Sequence, residues 1–203
     1  MDTRELRETY RRLARWYDLA EAMPEALGLR RLRRRLLAQA RGNVLEVAAG
    51  TGKNFHFYPP GRTLVATDLS ADMLRLARRR AAQLDRAYRF ALMDAEALAF
   101  PRRAFDTVVS TLSTCTFPDP VHALREMSRV CRPDGRILLV EHGRSDRGWV
   151  ASWQDRRAEA HARRFGCHWN REPRQLVHQA GLGIVQAQRR FGGVFHIIEA
   201  RPA

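Results

Sequence analysis

Apolar residues follow two rhythms along this chain. Over residues 3–20 they return at helical spacing, with Leu6, Tyr10, Leu13, Ala14, Trp16, Tyr17 and Ala20 as the apolar positions. A second helical stretch opens at Pro24 and runs through Leu27, Leu32, Leu36 and Leu37, with arginines on the opposite side. From Asn43 the pattern changes to short apolar runs. Val44-Leu45-x-Val47, Leu64–Thr67, Arg89–Met93, Phe105–Ser110 and Ile137–Val140 read as strands, the first of them buried on both faces. Between them, a helix starts at Ser70 as N-cap with Met73, Leu74 and Ala77 inward. Another spans Val121–Cys131 and stops at the turn Arg132-Pro-Asp-Gly. Strands alternating with helices in this order predict an α/β fold around a mostly parallel sheet.

The first strand runs into Ala48-Ala-Gly50-Thr51-Gly52, where small residues let the backbone turn tightly and approach a ligand closely. Lys53 and Asn54 lead towards a helix start, whose free N–H groups point back at whatever the loop holds. A dinucleotide fingerprint fails here. Counted from Gly50, its third glycine position is Phe55. Glu46 lies inside the strand and needs a partner there. Asp68 ends the second strand, where such architectures hold a pair of ribose hydroxyls. Asp94 and Ala95 follow the third strand.

The spacing Glu46-x-Ala48-x-Gly50-x-Gly52, with Asp68 and Asp94 after it, resembles the Rossmann-like (class I) S-adenosylmethionine (SAM)-dependent methyltransferases. Most of these have glycine where this chain has Ala48; ubiquinone/menaquinone C-methyltransferases resemble it in having alanine. Tyr10-Arg-Arg-Leu-Ala-Arg-Trp-Tyr17-Asp18 resembles the N-terminal segment of quinone C-methyltransferases and bacterial phosphatidylethanolamine N-methyltransferases. Thr111–Cys115, Glu141-His142, Gly166–Arg171 and His196 resemble membrane-associated thiol S-methyltransferases.

The resemblance implies a seven-stranded, mostly parallel sheet with an antiparallel last strand and helices on both faces. Residues 1–42 would form an N-terminal helical cap. Residues 43–203 would form the SAM-binding core, with an acceptor lid at about 143–170, the whole being one domain. It also implies SAM as cofactor and S-adenosylhomocysteine as product. Glu46, Ala48, Gly50, Thr51, Gly52 and Asn54 would belong to the cofactor site, with backbone groups around Gly50 and Gly52 holding the methionine end. Asp68 would take the ribose, and Asp94 with Ala95 the adenine, walled by Leu69 and Met73. Tyr10 and Thr111 complete the cofactor set. Tyr17, His142 and His196 would border the methyl group, with His142 the first choice of base for an acceptor that must lose a proton. Packing of Tyr10 and Tyr17 onto the sheet, with no part in chemistry, is the alternative.

The length of 203 residues suits one domain. No apolar run reaches membrane-spanning length and the start is not signal-like, so the expected place is the cytoplasm. Cys115, Cys131 and Cys167 are too widely spaced for a disulfide framework or a metal set, and no metal is expected.

A formal net charge of +14 brings anionic partners into view. Lys53 is the only lysine, so the other 35 basic residues are arginine, a bias that coding composition also produces. Five arginines surround Leu32 within Arg30–Arg35, and Arg156, Arg157, Arg163 and Arg164 form a second group. No nucleic-acid module accompanies them, and Ser110-Thr-Leu-Ser replaces the Asn-Pro-Pro-Tyr-like motif of nucleic-acid amine methylation. Trp149 and Trp153 share one helical face beside arginines, which suits a lipid headgroup layer. The acceptor is therefore expected to be lipid-like or small, with phosphatidylethanolamine first and a thiol or quinone-type molecule second. Peripheral attachment to an anionic inner-membrane face follows from the first. A SAM-binding protein without turnover is the reading from another class.

Overall fold

The computed structural model describes residues 3–20 and 25–203, without the side chains of residues 3, 13–20 and 27. Helix α1 (Thr3–Ala20) is followed by a π-type turn (Glu25–Leu29) and α2 (Arg30–Leu37). Pro24, the expected helix opener, lies outside the described residues. The rest alternates as the apolar runs predict: β1 (Asn43–Val47), β2 (Thr63–Asp68), α3 (Ala71–Gln83), β3 (Arg89–Leu92), β4 (Phe105–Thr111), α4 (Pro120–Val130) and β5 (Cys131–His142). Then come α5 (Gly148–Phe165), α6 (Pro173–Gln179), β6 (Gly183–Arg190) and β7 (Phe195–Arg201).

The strands form one seven-stranded sheet in the order β3-β2-β1-β4-β5-β7-β6. The pairings among β1 to β5 are parallel, and β7 runs antiparallel between β5 and β6. This is a Rossmann-like α/β sheet with a reversed last strand, the topology that the resemblance implies. On one face Leu45, Val108, Ile137 and Leu139 pack with Leu124 and Met127 of α4. On the other Val44, Val109, Leu138 and Val140 pack with Leu36 and Leu37 of α2 and Ala77 and Ala81 of α3. Burial on both faces is why these runs lack a polar alternation.

The Arg132–Gly135 turn takes a different form from the one its residues predict. β5 pairs Cys131 with Phe105, then Arg136 with Thr107, so the intervening residues form a bulge within the strand. Arg132 on this bulge binds Asp106 of β4 at 2.7 Å, which fixes the offset.

Strand order reverses between β1 and β4. Such a switch point opens a crevice at the carboxyl ends of the strands. Here it lies between the Ala48–Gly52 loop and the segment that follows Thr111.

Candidate functional site

The crevice is a cavity of about 720 Å³, its open mouth included. Ala48, Gly50, Asp68, Leu69, Met73 and Ser70 line one part of it, and Met93, Asp94 and Ala95 continue the wall. Thr111, Leu112, Ser113, Thr116 and Phe117 line another. Leu6, Arg7 and Tyr10 of α1 complete it. A smaller cavity shares Ala48, Gly50 and Thr111 with the first and is lined further by Arg33, Thr51, Lys53 and Asn54.

The loop after β1 is shaped by backbone that few residues tolerate. Gly52 sits at φ 77°, and a Cβ there would stand 2.4 Å from the Phe55 ring. Gly50 has the same handedness, but a Cβ on it would meet nothing within 4 Å, so its open side is space rather than packing. Ala48 (φ 52°) and Leu112 (φ 54°) hold left-handed backbone on two loops of the cavity. For non-glycine residues this costs about 1 kcal/mol each and collects where ligands bind. Each is fixed by its surroundings, through Ala49 N–H to Thr67 O and Leu112 N–H to Val140 O, both 2.8 Å.

Asp68 is pinned by backbone. Its Oδ2 accepts from Gly50 N–H and its Oδ1 from Ser70 N–H, both at 2.8 Å. Burial pushes its pKa up to about 6, against these hydrogen bonds, which lower it. Leu69 N–H also bonds the carboxylate, whose two oxygens offer about four acceptor positions in all, so it can still take a ligand hydroxyl in the cavity. Asp94 stands at the exit of β3, with Oδ1 accepting from Glu96 N–H at 2.9 Å.

Glu46 and Gly52 line neither cavity. Glu46 is buried behind the loop, where Asn54 Nδ2 and the Tyr58 hydroxyl donate to its two oxygens at 2.8 and 2.9 Å. Burial lifts its pKa to about 7. Through these bonds it positions Asn54 beside the loop. Asn54 Oδ1 accepts from Arg33 Nη1 at 2.9 Å, and Thr111 Oγ1 accepts from the same nitrogen at 2.6 Å. Arg33 Nε also binds Glu25 at 2.8 Å. This guanidinium, 3% exposed, is the site residue that sequence reasoning missed. Arg30, Arg31, Arg34 and Arg35 of the same cluster face solvent.

The segment after Thr111 hangs on Glu141. Its Oε2 accepts from Ser113 N–H (2.9 Å) and Thr114 N–H (3.2 Å), and its Oε1 from Ser110 Oγ (3.2 Å). Substituting Glu141 by alanine is expected to lower stability by about 3 kcal/mol, since two or more buried donors lose their acceptor. Urea unfolding checks this, and a change within about 0.5 kcal/mol contradicts it.

His142 and His196, the expected bases, are not among the residues lining either cavity. His142 Nε2 lies 3.4 Å from Cys167 Sγ. His196 is fully enclosed, and among the described residues neither ring nitrogen has a side-chain hydrogen-bond partner. Its pKa falls to about 4 through burial and through Arg189 and Arg174 nearby. The Tyr17 side chain lies outside the described residues. Folding also does what cysteine spacing does not show: it gathers Cys115 and Cys167 around His142.

Residues 143–170 carry α5. Buried Gln154 anchors it, donating to Gly143 O and Trp169 O and accepting from Ser145 N–H. Trp149 is 79% exposed and Trp153 40% exposed, with Arg157 over the Trp153 ring. Between α1 and α5 runs an open groove bearing Glu5, Glu8, Arg12, Glu159 and Arg163. Among the described residues no helix is long and apolar enough to cross a membrane.

Residues 45–139 match the family model of the methyltransferase domain. The mitochondrial methyltransferase OMS1 of Saccharomyces cerevisiae is 28% identical over 99% of this chain and 47% of its own length. A phosphatidylethanolamine N-methyltransferase of Cereibacter sphaeroides is 36% identical over 55% of this chain and 56% of its own. The chain thus spans about half the length of these curated relatives. The PH0226 protein of Pyrococcus horikoshii shares the fold, with a TM-score of 0.69 and 22% identity over 90% of this chain and 92% of that one.

Proposed function

We propose that this chain, a Rossmann-like (class I) SAM-dependent methyltransferase, transfers the methyl group to an amine-headed phospholipid, phosphatidylethanolamine being the first choice. The observation that carries the cofactor side is the pinned, buried Asp68 carboxylate facing a cavity whose walls include Asp94, Met73 and Tyr10. SAM, when bound, supplies a methyl group already activated on a sulfonium, so the protein's work is alignment, exclusion of water and access for the acceptor's lone pair. Asp68 would hold the ribose hydroxyls, and Asp94 with Ala95 the adenine, between Leu69 and Met73. Arg33, Thr51, Lys53 and Asn54 line the adjoining cavity, whose basic groups suit the methionyl carboxylate. Tyr10 would cap the cofactor from α1.

An ammonium acceptor must lose its proton before it attacks. With His196 enclosed and His142 turned to Cys167, loss of that proton to solvent before entry accords with the cavity lining better than either histidine as base.

The acceptor assignment draws support from the open groove between α1 and α5, whose charges pair with one another as Arg12–Glu8 and Arg163–Glu159, so a zwitterionic headgroup would enter by exchanging these exposed pairs. Exposed Trp149 and the arginines of α5 suit a headgroup layer, and residues 143–170 would serve as the lid. A small thiol is the second reading, favoured by the Cys115–His142–Cys167 cluster beside the Thr111–Phe117 wall. A labelled-methyl transfer assay across phosphatidylethanolamine vesicles, small thiols and quinols tests the choice. Label in the lipid fraction is the expected result; label only in thiol or quinol overturns the lipid assignment.

Flotation with anionic vesicles is expected to carry the protein at low salt and to release it as salt rises, each basic residue near the surface contributing about 1 kcal/mol. Absence of flotation at low salt contradicts the peripheral-membrane proposal. The raised Asp68 pKa gives a pH dependence. Its ionised form, which accepts the ribose hydroxyls, is complete above the folded pKa of about 6 and is lost as pH falls through it. SAM affinity measured by calorimetry should therefore be level between pH of about 7 and 8 and decline towards about tenfold per pH unit below the folded pKa. A flat profile removes Asp68 from the binding step.

A further inference from the structure

Three ligand-type side chains from separate parts of the chain meet beside the cavity wall. Cys115 lies in the segment after β4, His142 ends β5, and Cys167 follows the last turn of α5. Their sulfur and ring-nitrogen atoms all lie within 4.8 Å of one another. Cys167 Sγ is 3.4 Å from His142 Nε2. The backbone holds the two cysteine segments together, His168 N–H donating to Cys115 O at 2.8 Å. Arg171 spans the same junction, its Nη1 donating to Phe117 O at 2.8 Å and also to Thr114 O.

Two thiols and an imidazole are a soft-to-borderline donor set. It selects zinc-like cations over magnesium or calcium, which take oxygen ligands. The neighbouring carboxylate, Glu141, already spends its oxygens on Ser110, Ser113 and Thr114. Tetrahedral zinc, with Zn–S of about 2.3 Å and Zn–N of about 2.0 Å, sets its ligand atoms roughly 3.3–3.8 Å apart. The cluster reaches that spacing by movements of about 1 Å, within the range of side-chain adjustment. Cys115 is buried, while Cys167 and His142 are half-buried, which leaves a route for a cation to enter.

We propose that Cys115, His142 and Cys167 bind one zinc-class divalent cation, with a fourth position open to water or a small thiolate. The cation ties the Thr111–Phe117 wall of the cavity to the segment joining α5 and α6. Both sulfurs bind as thiolates, any proton the pair still holds passes to solvent, and no redox change is involved. The site is independent of which acceptor the enzyme methylates.

The test uses the full chain, reduced and stripped with a chelator, and cobalt(II) as the probe. The expected result is one cobalt per chain, with the near-ultraviolet thiolate charge-transfer band and the visible bands of a tetrahedral site, all displaced by one equivalent of zinc. Cys115→Ser and Cys167→Ser should each lose the charge-transfer intensity of one thiolate and bind cobalt at least about tenfold more weakly. Cys131→Ser, which alters a core cysteine outside the cluster, should match the parent. Near-ultraviolet circular dichroism reports folding, and the half-buried Cys167 variant decides the matter should Cys115→Ser not fold. Failure of the reduced parent to bind cobalt overturns the proposal. So does unchanged binding in Cys167→Ser, or isolation of a Cys115–Cys167 disulfide whose reduction restores no cobalt uptake.

Discussion

Replacing Asp68 with alanine is expected to weaken SAM binding about a hundredfold or more, because two hydrogen bonds to a charged acceptor, each worth about 1.5–3 kcal/mol, disappear together. Stability without ligand should change less. Gly50 N–H and Ser70 N–H lose their acceptor, but a carboxylate whose pKa is raised by burial is also removed, and the two effects oppose each other. Asp68→Asn is not a mild substitute here. Backbone N–H groups face both oxygens, so one side of the amide must set its NH₂ against another donor. Calorimetric titration of SAM, with thermal melts of the ligand-free proteins alongside, separates binding from folding. Unchanged affinity in Asp68→Ala removes the ribose assignment.

Arg33→Ala is expected to have the second-largest effect, on stability and binding together. The guanidinium is nearly fully buried and joins Glu25, Asn54 and Thr111. Removing one partner of a buried ion pair costs about 3–5 kcal/mol, more than replacing the pair outright, since the other charge stays behind. The loss continues to Asn54, whose amide also donates to Glu46, and so reaches the support of the glycine loop. SAM affinity should fall about tenfold or more in molecules that remain folded, as the adjoining cavity loses a cation that suits the methionyl carboxylate. Arg33→Lys keeps the charge but not the fork that serves Glu25 through one nitrogen and Asn54 and Thr111 through another, so it should recover only part of either loss. Urea unfolding and calorimetry on both variants check this. A stable Arg33→Ala protein with parental affinity contradicts it.

Much of this site was legible in residue order because its parts lie at strand ends, and strand ends are marked by where apolar runs stop. Ala48, Gly50, Asp68, Asp94 and Thr111 each end or follow such a run, and all line the cavity. Glu46 was legible as a carboxylate in need of a partner, but its actual partners, Asn54 and Tyr58, come from a turn whose path no local pattern gives. Arg33 was hidden for a different reason. A helix with five arginines around one leucine has the same pattern whichever arginine turns inward, and only packing of Leu32, Leu36 and Leu37 selects it. β6 escaped placement because it is an edge strand, with its glutamines and arginines largely exposed and no continuous apolar run. The meeting of Cys115, His142 and Cys167 depends on the register of β4 beside β5 and on where α5 stops, neither of which is written in cysteine spacing.

The central claim is that the cavity at the β1–β4 switch point holds the SAM nucleoside. A crystal structure of the protein grown with S-adenosylhomocysteine tests it most directly. Ribose density is expected against the Asp68 carboxylate, adenine beside Asp94 and Met73, and the amino-acid end towards Arg33. Density for the nucleoside at another place, or an empty cavity at saturating ligand, contradicts it.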